Sequence, residues 1–275
     1  MAVVDIHVHF MPQNVLDKVW GYFDRIRAAG VDWFIQYRTD ENARLTALRE
    51  LGVVAFAPLV YPHRPGMAEW LNEWAADFAL RVSEAVPTGT FYAEPGAEAY
   101  VRKALEAGAR CFKSHVQVGG YDPRDDLLDG VWGQLAEAGV PVVAHCGDGP
   151  QPGAFTGLGI FEEVLARHPR LTAVIAHAGM PDYLGALDLV ERYPNVHIDT
   201  TMVGVPFSER MAALPPDWRS RIAGLADRVV LGSDFPNIPY PYEVQLDAIR
   251  SWGLDAAAEQ AILHDNGVRL LQLSR

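Results

Sequence analysis

The chain has 275 residues, 49% hydrophobic and 21% charged, enough apolar material to bury a core of the size an α/β barrel needs. Thirty-five acidic against 23 basic residues give a formal charge of −12, which argues against a phosphate-binding surface and so against a nucleic-acid partner. There are only two cysteines, Cys111 and Cys146, no signal-peptide pattern and no apolar run long enough for a bilayer. The expectation is a reduced, cytoplasmic protein with no membrane partner.

Short apolar runs rich in Val, Ile and Phe recur along the chain, at 3–9, 53–60, 89–94, 109–115, 140–146, 171–177, 196–201 and 228–234. Continuous apolar strands, as opposed to alternating ones, are what a parallel sheet covered on both faces requires. After the first run, residues 11–37 hold Trp20, Tyr22, Phe23, Trp33, Phe34 and Tyr37 and do not read as one clean helix. Two readings stand: a lid or substrate loop, or aromatics that pack over the barrel. Farther along, 98–109 places Tyr100, Val101, Ala104 and Leu105 on one helical face. Segments 159–169 and 181–194 share that period, the second with Pro181 in its first turn. Gly108 and Gly139 each follow a helix and precede a strand, where a left-handed cap ends the helix. Eight strands alternating with helices close most simply into a (β/α)8 TIM barrel, one α/β domain over 1–275; an open doubly wound sheet is the competitor.

The polar residues interrupting these runs carry the chemistry. His7 and His9 are two apart on one strand, so their side chains share a face, and Asp5 belongs to the same row. Lys113 and His115 end the fourth run, His145 the fifth, His177 the sixth and Asp234 the eighth. Burying an unpaired polar group costs several kcal/mol. Five strand ends at one barrel mouth therefore point to a shared partner, and a divalent metal held by imidazole and carboxylate fits. His63 and Arg64, after the second strand, stand where they can bind a carboxylate or lie in a solvated loop. Tyr121 follows the fourth strand and either lines the pocket or packs. Cys146 points away from His145 and reads as core; His168, His197 and His264 lack partners and read as structural or surface.

The ordered set DIHVHF, FKSH, AHC, AHAG and GSDFP, closed by ILHDNGVRLL, resembles the amidohydrolase superfamily, in the branch labelled amidohydrolase family 2, over nearly the whole chain. That resemblance implies His7, His9 and His145 as metal ligands and Asp234 as a further ligand or a partner of bound water. It implies His177 as general base or electrostatic clamp. Lys113 is expected to remain an amine facing an anionic substrate group, in preference to a carboxylated lysine bridging two metals; His115, two residues on and on the same face, is a second substrate contact or a structural residue. Arg64 and Tyr121 are weaker substrate-binding candidates. One zinc ion is expected, with manganese the alternative, and the metal's identity rests on the resemblance alone.

The function expected first is hydrolysis of a small, carboxylate-bearing lactone, ester or amide, with water made acidic by the metal. The alternative is a lyase, a metal-dependent nonoxidative decarboxylase of an aromatic or unsaturated acid. A third reading is a non-catalytic metal-binding barrel; the open, cysteine-free ligand set argues against it. The helix around Trp70 and Trp74 is a candidate oligomer-forming patch.

Overall fold

The eight apolar runs become eight parallel strands: β1 (Val3–Val8), β2 (Val53–Pro58), β3 (Thr88–Thr90), β4 (Cys111–His115), β5 (Val142–His145), β6 (Ala173–Ile175), β7 (Val196–Asp199) and β8 (Val229–Val230). The structure, a computed structural model, describes residues 2–273. Strands β3 to β8 pair in sequence order and β1 pairs with β2. Backbone bonds complete the ring. Phe56 N donates to Glu84 O and Val86 N to Phe56 O between β2 and β3 (2.9 and 2.8 Å), and Ile6 N donates to Leu231 O (2.9 Å) between β1 and β8. The doubly wound alternative is thereby set aside: the sheet closes, as a TIM barrel does.

Side-chain alternation divides the core in two. On β4, Cys111 lies in the same row as Lys113 and His115, and on β5 Val143 lies in the row of His145. Cys111 and Val143 belong to a small cluster with Val4, Ile6, Val174, Val230, Leu270 and Leu271, which fills the barrel beneath the polar layer. The opposite rows, such as Phe112, Val142 and Ala144, join the large cluster beneath the surrounding helices.

Three local expectations need correction. The first crossover contains a sixteen-residue helix, α1 (Gln13–Ala28), followed by α2 (Glu41–Glu50). Its buried Leu16 and Trp20 anchor it, and the buried Arg44 guanidinium lies over the rings of Trp20 and Phe10 at 5.4 and 5.3 Å. The helix Tyr183–Arg192 starts after Pro181, because Asp182 caps it by accepting from Gly185 N at 3.0 Å. The strands are also shorter than the runs. His177 and Asp234 lie beyond the ladders of β6 and β8, both left-handed, at φ 55° and 68°. Gly139, at φ 63°, does cap the helix Asp126–Ala138 as expected. No helix among the described residues is long and apolar enough to cross a membrane.

Candidate metal centre and active site

The polar strand ends converge at one mouth of the barrel. One potential ligand atom from each of His7, His9 and Asp234 lies within 4.8 Å of the others. His9 Nε2 is 2.9 Å and His7 Nε2 3.9 Å from Asp234 Oδ1. Asp234 reaches this point because the chain leaves β8 through a left-handed turn, a conformation uncommon for a residue with a side chain and found where a site demands it.

The opposite edges of the two imidazoles are tied down. His7 Nδ1 lies 2.8 Å from Asp199 Oδ2 and 3.1 Å from the Thr201 hydroxyl. His9 Nδ1 lies 2.9 Å from the carbonyl of Leu59. A carboxylate and a carbonyl only accept, so each Nδ1 carries a proton, which leaves Nε2 as the nitrogen that would face an ion held between the two imidazoles and Asp234. This is how metal-ligating histidines are held, and the donor set fits a divalent ion of the zinc or manganese type. Glycine at position 232 is required here: a Cβ would come within 2.4 Å of Thr201 Oγ1 and 2.9 Å of the His7 Cβ.

His145, the remaining expected ligand, stands outside this group of three. Its Nε2 lies 2.9 Å from the carbonyl of Gly149, which leaves Nδ1 as its lone-pair nitrogen. Its ring stacks on His115 at 4.2 Å and 12°, a consequence of the direct β4–β5 pairing of these two residues. His177 meets His145 edge-on at 4.7 Å and His7 at 5.4 Å. Its backbone N–H donates to Asp199 Oδ1 at 2.8 Å, and its buried Nδ1 has no hydrogen-bond partner.

Lys113 departs from expectation. It is fully buried and does not line the cavity; its Nζ lies 3.0 Å from His7 Nε2. Burial pulls its pKa down to about 8, partly countered by Asp199 and Asp234. Burial likewise holds His7, His115, His145 and His177 below the usual imidazole range, with Lys113 adding to it and, at His177, the carboxylates of Asp234 and Asp199 opposing it. Burial pushes Asp234 upward, but the hydrogen bond and charge of His9, with His7 and His177, outweigh it and hold the carboxyl well below its usual range. Asp5 supports His7 through the backbone, accepting from His7 N at 3.0 Å and from the Tyr242 hydroxyl at 2.8 Å. Its burial raises it to about 7.

Above this floor opens a cavity of about 720 Å³, within the range of small-molecule sites. His7, His9, His115, His145, His177, Asp234 and Asn237 form its polar end. Tyr22, Phe23 and Trp33 from the first crossover line its walls, while Trp20 packs beneath, its Nε1 donating to Asn237 Oδ1 at 3.1 Å. Arg64 is exposed and does not line the cavity; neighbouring His63 does. Tyr121 turns into the core, where its hydroxyl is 2.8 Å from Ser114 Oγ and its ring meets Tyr92. His168 and His264 pair with Asp129 and Asp265 at the surface, and Cys146 is core.

Asp199 is the important residue that sequence reasoning passed over. It ends β7 as His115 and His145 end β4 and β5, a carboxylate closing an apolar run, and that position is the signal for it in the sequence. Tyr61, whose ring packs on both His9 and His115 at 5.2 and 4.8 Å, gave no such signal.

A comparison with curated proteins found no match. Among solved structures, the chain is similar to an uncharacterized TIM-barrel protein from Bordetella bronchiseptica, with 19% identity and a TM-score of 0.76 over 99% of both chains. It is similar to 5-carboxyvanillate decarboxylase from Sphingomonas paucimobilis, with 16% identity and a TM-score of 0.67 over 99% of both chains. A putative 2-pyrone-4,6-dicarboxylic acid hydrolase from Pseudomonas putida gives 16% identity and a TM-score of 0.64, over 100% of this chain and 98% of the other. At these identities the likeness establishes the fold. The sequence model described as Amidohydrolase matches residues 4–273, and the chain belongs to that family.

Proposed function

We propose that the protein is a metal-dependent hydrolase that adds water to the carbonyl of a small lactone, ester or amide. The observation that supports it most is the convergence of His7, His9 and Asp234 at the floor of a substrate-sized cavity. His7 and His9 would hold the ion through Nε2 and Asp234 through a carboxylate oxygen, with His145 the fourth candidate through Nδ1. Zinc is proposed, and manganese accepts the same donors. When bound, such an ion supplies Lewis acidity and brings the pKa of water from about 15.7 towards about 7.

The chain's own groups then move the protons. Asp234, held ionised, accepts a proton from the attacking water. His177 lines the same cavity and is fixed through its backbone by Asp199, so it is placed to take that proton on from Asp234 and pass it to the leaving group, which returns both groups to their starting state. Asn237 and His115 are placed to orient the substrate. Hydrolysis is preferred to decarboxylation because Lys18 and Arg25 are the Lys and Arg residues lining the cavity, both on exposed turns of α1. Among the described residues the polar end is lined by imidazoles, Asp234 and Asn237 and by no Lys or Arg. Decarboxylation is the second reading, because solved decarboxylases share this fold.

One assay separates the two. Protein loaded with zinc or manganese is offered 2-pyrone-4,6-dicarboxylate and simple lactones, esters and amides, beside 5-carboxyvanillate and 2,6-dihydroxybenzoate, with ring opening and carbon dioxide followed together. Hydrolysis without carbon dioxide supports the proposal, and carbon dioxide release replaces it with the second reading. His177→Asn is expected to keep its metal and lose turnover, whereas His9→Ala loses both.

A further inference from the structure

Helix α1 has two apolar faces, one buried in the core and the other only partly covered where it borders the cavity. Leu16 and Trp20 are buried against the fold. Val15, Val19, Phe23 and Ile26, at spacings of four, four and three, instead line the cavity, and the last three stay partly exposed. An apolar stripe that borders an open cavity is the wall of a binding site. From Val15 to Ile26 it runs about 16 Å, at roughly 1.5 Å per residue.

The charges on the same helix are oriented with it. Lys18 and Arg25 line the cavity, and neither lies within ion-pair distance of a carboxylate among the described residues. His63, also lining it, feels the positive charge of both Lys18 and Arg64, which depresses its pKa after burial. Asp17 also lines this mouth, so two cations face one carboxylate there, a small positive excess on a chain of net charge −12. Tyr22 of α1 reaches across to Gln151, its hydroxyl 3.4 Å from Oε1, so the helix and the loop after β5 border the same opening.

We propose that the substrate is an extended amphiphile: a reacting carbonyl at the histidine end, an apolar arm along α1, and an anionic group at the mouth facing Lys18 and Arg25. This deepens the hydrolase reading by naming the substrate class and rests on it for the reacting group alone. The arm and the anionic end stand on the α1 geometry. A compact diacid whose two carboxylates both lie at the metal end would leave the whole stripe uncovered.

The test is binding, measured by isothermal titration calorimetry with phenylacetate, phenylbutyrate, phenylhexanoate and neutral phenylhexanol. Each ligand is titrated into the metal-loaded protein and again after chelator treatment, which keeps the outcome independent of the metal reading. Phenylhexanoate is expected to bind at least about tenfold more tightly than phenylacetate, since each buried methylene contributes roughly three- to fourfold. Phenylhexanoate should also exceed phenylhexanol at low salt and lose that advantage at high salt. Val19→Asp with Phe23→Asp should flatten the length series, and Lys18→Gln with Arg25→Gln should erase the preference for the acid. Circular dichroism confirms that both variants remain folded. A series flat with length, or a length effect untouched by Val19→Asp with Phe23→Asp, overturns the apolar arm. An acid preference unchanged by Lys18→Gln with Arg25→Gln in the chelated protein overturns the anionic end. Failure of the hydrolase reading alone would leave all these binding results in place.

Discussion

Asp199 Oδ2 lies 2.8 Å from Nδ1 of His7, and the other oxygen of the same carboxylate accepts from the backbone N–H of His177 at 2.8 Å. One side chain therefore fixes the tautomer of a proposed ligand and the position of a proposed proton carrier. It also accepts from Thr201 N at 3.0 Å, so the carboxylate is itself held in place. Asp199→Asn removes the charge and offers N–H to an imidazole nitrogen that already bears hydrogen. Loss of such a partner typically costs about 10- to 100-fold in metal affinity or activity. Zinc affinity measured by chelator competition should fall by that much while the thermal unfolding midpoint moves little; unchanged affinity would remove Asp199 from the centre.

Lys113 offers a second, sharper contrast. Its Nζ is 3.0 Å from His7 Nε2, the same nitrogen that would bind metal. As an amine it competes for that lone pair; as a carbamate it would be a ligand. Lys113→Met preserves length and removes the competition, so metal affinity should hold or rise by up to about tenfold, and stoichiometry should stay at one ion per chain. Loss of metal in this variant, with rescue by added short-chain carboxylates, would show the lysine to be a bridging ligand instead.

His197 makes stability depend on pH. It is buried on β7 with Nδ1 unpartnered, and burial, with the charges of Arg228 and Arg269, lowers its pKa from 6.5 to about 4. The folded state thus holds the neutral ring while the unfolded chain takes up a proton first as pH falls. Stability from this residue is complete above about pH 6.5 and is lost as pH drops towards about 4, by up to about 3 kcal/mol. His197→Leu should flatten the acid limb of a denaturation series over that window. An identical pH slope in the variant would mean that other groups carry it.

The barrel was legible because its strands are buried on both faces and so spell continuous apolar runs. The ends of those strands were less legible. His177 and Asp234 look like strand residues in sequence, yet each turns left-handed past its ladder, a backbone choice set by the surrounding site and not by local propensity. Helix α1 was hidden for a related reason: Leu16 and Trp20 serve the core while Val15, Val19 and Phe23 serve the cavity. Two adjacent apolar faces blur the single stripe that marks an ordinary surface helix. Arg64 and Tyr121 show the converse, since proximity to a strand end says nothing about which way a loop side chain turns. The convergence of His7, His9 and Asp234 was readable from strand position, whereas the Gly149 contact that sets His145 apart is made by a loop carbonyl and leaves no mark in the sequence.

The most direct measurement is elemental analysis of the purified protein, taken together with an anomalous-scattering map of the barrel mouth. One zinc or manganese ion per chain is expected, bounded by His7, His9 and Asp234 with His145 closing the set. A protein that binds no ion there, even after zinc and manganese are added back, would contradict the metal-dependent chemistry and leave the barrel without its proposed catalyst.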